Sequence, residues 1–330
     1  MRYPPVLAIG GLLAIAVAVT ACRREPARAP VTETQSDAPP PPAAVGTLKA
    51  RVVSWDVGFR PATETEWVAR VVAEVRDAAA AGVDGLLFPE LFAAGLAPYA
   101  PPSDRPCEFV TRRMHAAVLP AVKAAAAPTM LVCLGSYAHQ EPGWPHAFNR
   151  APVLLGGVWH FADKIHPTQG ERIEDPPIRA GEVLPVFRFR GGNVAVAVCF
   201  SLEMPEVSAA LKKEGVHLVL GPTATEDEDG VARILRSASA RAVELGAAVL
   251  VAPLLGQQDD WKNVGAAALY LPAQKGIDHR PQESARRAHG IARDDFVIPW
   301  QALLDLRRQP VGKPETRPFL AEHPFRVERK

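Results

Sequence analysis

The sequence has almost no excess of charge. Its 37 lysines and arginines stand against 36 aspartates and glutamates, a formal net charge of +1. No sustained basic stripe breaks that balance, so a nucleic-acid surface, whose affinity depends on neutralising phosphates, is set aside. Metal and nucleotide signatures are lacking too: there is no HExxH, no CxxC and no phosphate-cradling glycine loop, and neither a metal nor a nucleotide cofactor is inferred. The one long apolar run, residues 6–19, falls short of the about 20 residues a membrane-crossing helix needs. Internal repeats are absent, and only one linker-like stretch interrupts the chain.

What remains is a globular composition. A chain of 330 residues, 48% hydrophobic and 22% charged, can bury one large core. Its first residues read as an address: Arg2 gives a positive start, the apolar run follows, and small residues precede Cys22. Small residues directly before a cysteine resemble the lipobox of bacterial lipoproteins, which implies cleavage before Cys22 and a lipid on its thiol. An ordinary secretory signal beside an unrelated cysteine is the alternative, and both readings take the chain out of the cytoplasm. Residues 22–46 are rich in proline and alanine, with four consecutive prolines at 39–42, and read as an extended tether that buries too little to order itself. The expected organisation is a signal peptide over 1–21, a lipidated tether over 22–46, one domain over 47–325 and a short tail over 326–330.

Within that domain, residues 48–55 read as a strand. Thr63 and Glu66 form a capping box for a helix that runs to Ala81 and stops at Gly82. A buried strand over 85–88 and a helix over 107–126 follow. Strand patterns at 130–136, 152–155, 158–162, 186–189 and 194–198 suggest a meandering sheet. Helix and strand then alternate: a helix over 206–213, a strand at 218–220, a helix over 231–245 and a strand over 248–252. Mixed sheets with helices on their outer faces are the expected architecture.

Four polar residues fall at or just beyond strand ends. Glu90 follows Pro89, which cannot continue a ladder; Lys164 ends the strand over 158–162; Glu171 lies past a glycine turn; Cys199 ends the alternating run VAVAV. Singly these read as a solvated carboxylate, a surface lysine, a loop residue and an inert buried thiol. Together they supply a base, a cation and a nucleophile. Those are the groups needed to hydrolyse a poor electrophile such as an amide or nitrile carbon through a covalent adduct.

The segments GVDGLLFPEL, FNRAPVLLGGVWHFADKIHPTQGE and VAVAVCFSLEMPE resemble the three signature blocks of the nitrilase, or carbon-nitrogen hydrolase, superfamily, in order and at suitable separations. RAVE at residues 241–244 matches a weaker fourth block. The resemblance implies an α+β fold, a four-layer αββα sandwich paired into homodimers or larger assemblies. It also implies Cys199 as nucleophile, Glu90 as general base, Lys164 as oxyanion stabiliser, Glu171 as a second carboxylate orienting substrate or Lys164, and the N–H of Phe200 as an oxyanion donor. A helix beginning at Pro205 and Glu206 is expected to favour thiolate character at Cys199 through its positive end. Glu90, beside Glu171, is expected to have a raised pKa that Lys164 limits.

His166 stands where the family often has histidine after the lysine, which makes it a candidate pocket residue with Glu203; alternatively it could pair with Cys199 in a Cys–His arrangement. Glu203 stands where amidases and carbamoylases of this superfamily often carry an arginine near the pocket. Facing inward it would favour a cationic or neutral amide over a free carboxylate; facing outward it would pair with a surface cation. True nitrilases generally carry Trp and Glu after the cysteine, whereas Phe200 and Ser201 stand here, which favours amide over nitrile hydrolysis. Residues 225–229 match a calcium loop only loosely and read as a solvated helix start, and Cys107 and Cys133 as two separate buried thiols. The expected function is therefore hydrolysis of a small amide or carbamoyl substrate, with no cofactor, at a bacterial cell envelope. The lipid anchor at Cys22 would face the periplasm from the outer membrane in a Gram-negative cell, since Arg23 and not Asp follows it. An acyltransferase that passes the thioester to an amine, and a non-catalytic binding lipoprotein, are the alternatives.

Overall fold

The computed structural model describes residues 46–308. The signal peptide, Cys22, nearly all of the tether and the expected domain end at 325 lie outside the described residues. The first seven strands are β1 (Leu48–Asp56), β2 (Gly85–Leu87), β3 (Leu131–Cys133), β4 (Tyr137–His139), β5 (Ala147–Leu155), β6 (Val158–Asp163) and β7 (Ile178–Arg179). They form one sheet. The next seven form a second: β8 (Val186–Phe189), β9 (Gly192–Val196), β10 (Leu218–Thr223), β11 (Ala248–Gln258), β12 (Trp261–Asn263), β13 (Ala268–Tyr270) and β14 (Gln282–Glu283). β15 (Ala292–Ile298) returns to lie antiparallel along β1. Among the described residues the two sheets join where the end of β1 runs parallel to β11, at Trp55 opposite Leu254 and Asp56 opposite Leu255.

Strand periodicity sets the layers. Leu48, Ala50 and Val52 of β1 belong to the core shared with the second sheet, while Val53 and Trp55 point to the helices outside the first, as alternation with period two requires. Helix α1 (Glu64–Ala80) buries Trp67, Val71, Val75 and Ala78, one stripe of the 3.6-residue repeat. Its capping box is present in both directions, Glu66 N–H to Thr63 Oγ1 at 3.2 Å and Thr63 N–H to Glu66 Oε2 at 3.3 Å. Helices α2 (Pro106–Arg113) and α3 (Leu119–Ala125) complete that outer layer. Two short helices, α4 (Gln169–Ile173) and α5 (Phe200–Glu203), stand beside strand ends. Beyond them α6 (Pro205–Lys213) and α7 (Glu228–Leu245) cover the second sheet, and α8 (Trp300–Arg308) closes its edge. The result is helices, sheet, sheet, helices: the α+β, four-layer sandwich expected from the sequence.

The structure corrects three element readings. The helix expected over 107–126 is interrupted by a π turn at Met114–Val118; Pro120 cannot donate to the carbonyl of Ala116 and its ring crowds that turn. The strand expected from residue 152 begins at Ala147. Asn149 and Arg150 hide its pattern: Asn149 is buried among charges, and Arg150 is tied to Asp163 at 2.7 and 2.9 Å. Finally, the expected meander over 130–198 is divided, with β3 to β7 in the first sheet and the β8–β9 hairpin in the second.

Gly85 faces a void of about 10 Å³ between the sheets, beside Ala50 and Leu131, its neighbours in register. A Cβ there would meet nothing within 4 Å. Gly85→Ala should therefore stabilise the protein by about 0.4–1 kcal/mol, chiefly by restricting the unfolded chain. Thermal denaturation checks this, and a lowered midpoint would show that the strand needs glycine there.

Candidate active site

Glu90, Lys164, Glu171 and Cys199 arrive from four separate segments and meet in the interior. Beyond β9 the chain keeps its pairing with β10, Ala197 N–H to Leu220 O and Cys199 N–H to Pro222 O, both at 2.9 Å. At Cys199 it turns abruptly, with φ 44° and ψ −110°, into α5. A non-glycine residue at positive φ costs on the order of 1–3 kcal/mol and persists only where its surroundings hold it. Glu90 follows β2 and Pro89. The Pro89 carbonyl accepts from Ser136 N–H at 3.1 Å, and Gly135, at φ 55°, lets that carbonyl approach so closely that a Cβ would overlap it.

Lys164 lies just past β6, its N–H on Asn149 O at 2.8 Å and its carbonyl accepting from Gly181 N–H at 2.8 Å. Its Nζ donates to Glu90 Oε1 at 2.8 Å and to Glu171 Oε2 at 2.7 Å. The lysine and Glu90 side chains are 1% and 3% exposed, so this is a buried cluster and not a surface pair. Glu171 is the third residue of α4, and Thr168 N–H donates to its Oε2 at 2.7 Å in a capping box. On the other oxygen of Glu90, Ala224 N–H donates to Oε2 at 2.9 Å, and Cys199 Sγ donates to Ala224 O at 3.6 Å. One residue thus bridges thiol and carboxylate.

Charge follows from this geometry. Burial pushes Glu90 above the usual carboxylate range; Lys164 pulls it back and Glu171 adds to the rise. Burial would also raise Glu171, but Lys164, the Thr168 N–H and Asn149 outweigh it and hold that carboxyl low. For Lys164, burial acts to neutralise it, and the two carboxylates and Cys199 reverse the outcome, raising the ammonium. Burial and then the charge of Glu90 push the Cys199 thiol well up. The expected thiolate character is therefore a correction: α5 separates Cys199 from the start of α6 at Pro205, and desolvation beside a carboxylate dominates.

The remaining sequence candidates fall nearby but in other contacts. His166 Nε2 lies 3.0 Å from Glu206 Oε1, and its N–H donates to Ser201 Oγ at 3.0 Å, so its ring partner is Glu206 and not Cys199. Glu203 is 12% exposed, with Arg233 Nε 3.4 Å from its Oε2. Burial raises its pKa while Arg233 and Lys164 lower it. Phe200 occupies the first position of α5, where an N–H has no acceptor within the helix. Arg241 of the RAVE block donates to Leu202 O at 3.1 Å and Glu203 O at 3.0 Å, clamping that turn. Asp227 caps α7 by accepting from Gly230 N–H at 2.7 Å. Cys107 and Cys133 are free thiols, the first half-buried and the second buried. Asn149 and Ala224 were not singled out from the sequence. For Asn149 a signal existed: it shares one strand face with Ala147 and Ala151, a polar residue in an inward position. Ala224 contributes backbone groups, which carry no sequence signal.

Comparisons with known proteins bear on the family and the fold. The family model for carbon-nitrogen hydrolase matches residues 47–284. Over 101 residues, 31% of this chain, the sequence is 30% identical to a Bacillus subtilis (strain 168) protein described as the probable hydrolase YhcX; the match spans only 20% of that relative's length. A cysteine-to-alanine variant of the Nesterenkonia AN1 amidase from the nitrilase superfamily aligns with a TM-score of 0.60 at 21% identity, over 81% of this chain and 96% of that one. Saccharomyces cerevisiae Nit3, a member of branch 10 of that superfamily, aligns at 0.61 with 15% identity, over 82% and 97%. The C. elegans NitFhit protein aligns at 0.63 with 18% identity, over 80% and 64%. These structural likenesses show a shared fold.

Removing the buried cation should expose the cost of the cluster. Lys164→Met leaves two buried carboxylates without their counter-ion and is expected to destabilise by about 3–5 kcal/mol. Glu90, already raised by burial, then loses the cation that limits the rise, so the folded state holds an extra proton there. Stability of the variant should fall as pH rises through that raised value and recover toward acidic pH. Denaturant titration of wild type and variant across pH checks this; a deficit that does not shrink on acidification would contradict it.

Proposed function

The chain belongs to the carbon-nitrogen hydrolase family, and we propose that it hydrolyses a small amide or carbamoyl substrate through a thioester on Cys199. The observation that carries this reading is the Cys199–Ala224–Glu90 bridge beside a buried ammonium. A protonated thiol and a carboxylate of raised pKa form a resting pair that transfers a proton only as attack begins. As Sγ bonds to the substrate carbon, its proton passes to Glu90. The negative charge that develops on the substrate oxygen is met by Lys164 and the Phe200 N–H. Collapse breaks the carbon–nitrogen bond, and Glu90 returns its proton to the departing nitrogen, which leaves as ammonia or an amine. Water then adds to the thioester, giving one proton to Glu90; the carbon–sulfur bond breaks, the acid leaves, and the thiol regains its proton. Glu171 holds Lys164 in place throughout.

Support for an amide comes from the Nesterenkonia amidase, another variant of which is known in complex with acrylamide, and from Phe200 and Ser201 after the nucleophile. Glu203 enters the proposal with less weight than its charge alone would give, because Arg233 offsets it; the substrate is placed as neutral or cationic near that position. The small-residue run before Cys22 supports a lipid anchor, and with Arg23 next to it we place the enzyme at the cell envelope, on the outer membrane facing the periplasm in a Gram-negative cell. Family membership supports assembly as a homodimer or larger homo-oligomer.

Cys199→Ala should abolish both turnover and the acyl adduct seen by intact mass, in a screen of amides, carbamoyl compounds and nitriles that starts from acrylamide. Undiminished hydrolysis in that variant would overturn the mechanism. Product analysis with an added amine separates hydrolysis from acyl transfer. Because Glu90 must be ionised to accept the proton, kcat/KM should fall as pH drops through its raised pKa, placing the acid limb above the usual carboxylate range. An acid limb at an ordinary carboxylate value would argue against Glu90 as the base.

Anchoring is tested separately. Cys22→Ser should release the protein from washed membranes or block its processing; normal cleavage with retention in the membrane would count against lipidation.

A further inference from the structure

Asn149 is fully buried in β5, and its amide nitrogen has two hydrogens to give. One goes to Glu90 Oε1 at 2.8 Å and the other to Glu171 Oε1 at 2.9 Å. Two carboxylate acceptors fix the orientation of the amide, since the flipped form would set its oxygen against both of them. Lys164 spans the same two carboxylates, on Glu90 Oε1 and Glu171 Oε2. The carbonyl of Asn149 also accepts the N–H of Lys164 at 2.8 Å. Main chain and side chain of this one residue therefore hold the lysine and both carboxylates.

The consequence lies at Glu90. Both side-chain donors fall on Oε1, while Oε2 takes the N–H of Ala224, the residue whose carbonyl accepts from the Cys199 thiol. An oxygen that already accepts an ammonium and an amide proton is the poorer proton acceptor of the two. We propose that Asn149 is a positioning residue: with Lys164 it occupies Glu90 Oε1 and so commits Oε2 to the proton of Cys199. This rests on reading Glu90 as base and Cys199 as nucleophile. The charged groups facing Glu90 are Lys164 and Glu171, with the titratable thiol of Cys199 beside them. Glu203 and Glu174 lie farther out, where they sense Lys164.

Iodoacetamide tests this without a known substrate. It is a small amide that alkylates the thiol: a sulfur–carbon bond forms, iodide leaves, and the thiol proton passes to Glu90. Rates at Cys199, Cys107 and Cys133 are followed by peptide mass in the full chain over a range of pH, in wild type, Glu90→Gln, Asn149→Asp and Asn149→Ala. Asn149→Asp keeps the shape and removes the donors; Asn149→Ala removes them without adding a charge, and serves alone if the aspartate variant does not fold. At neutral pH the Cys199 rate should drop about 100-fold, the cost of a misplaced reacting group, while the other two cysteines keep their rates. A merely structural role would loosen packing and speed all three. A wild-type or faster rate at Cys199 in the Asn149 variants overturns the proposal. If Glu90→Gln leaves the Cys199 rate unchanged, the base itself is misassigned and the proposal falls with it; if Glu90→Gln is slow and the Asn149 variants are not, only the role of Asn149 fails.

Discussion

The ammonium of Lys164, held between Glu90 and Glu171 away from water, is the interaction on which the rest of the site depends. None of these charges could be buried alone, because each ion taken out of water costs several kcal/mol. Placed together, with Asn149, the Thr168 N–H and the Ala224 N–H filling the remaining acceptor positions, they are mutually satisfied. That requirement binds distant parts of the chain. The ends of β2 and β6, the middle of β5, the first turn of α4 and the loop after β10 must all be correctly set before the cluster is stable. Ordering of the fold and assembly of the site are therefore one event.

Strain is concentrated at the adjacent residue. Cys199 adopts positive φ where strand becomes helix, and the conformation is held from both sides. Its N–H extends the pairing with β10, its carbonyl accepts Leu202 N–H at 2.7 Å, and Arg241 pins the carbonyls of Leu202 and Glu203 from α7. The RAVE resemblance thereby gains a physical meaning. Its arginine does not touch the reacting groups; it clamps the turn that aims the sulfur.

Much of this could be read from residue order. Period-two runs marked β1, β2, β9 and β11, and the Thr63–Glu66 capping box located α1, because local pattern and tertiary environment agree there. The four site residues stood out because polar groups at strand ends are unusual when several complementary ones recur. Local signals failed where a residue answers to a distant partner. Arg150 and Asn149 conceal the first half of β5, Pro120 diverts a helix that continues past it, and β12, β13 and β14 are short segments fixed mainly by pairing. The thiolate expectation failed for a related reason: proximity of a helix start is visible in sequence, whereas complete desolvation and a facing carboxylate are properties of the folded site.

Holding the proposed nucleophile as a thiol bears on where the proposed reaction can take place. Oxidants and disulfides react with the thiolate, so susceptibility follows thiolate character and exposure. Cys199 is 6% exposed and its thiol is pushed well up; burial also pushes Cys107 up to about 11 and Cys133 up to about 12. Burial thus disfavours the thiolate at all three. In the envelope location proposed from Cys22, an oxidising setting, a permanently ionised cysteine would be a liability. In the mechanism proposed above, the thiol is deprotonated only against Glu90, with the substrate carbon already in place to receive the sulfur. On that proposal, the same burial that disfavours spontaneous ionisation of the thiol would restrict its reactivity to the bound complex, and Lys164 keeps that burial compatible with an ionised Glu90.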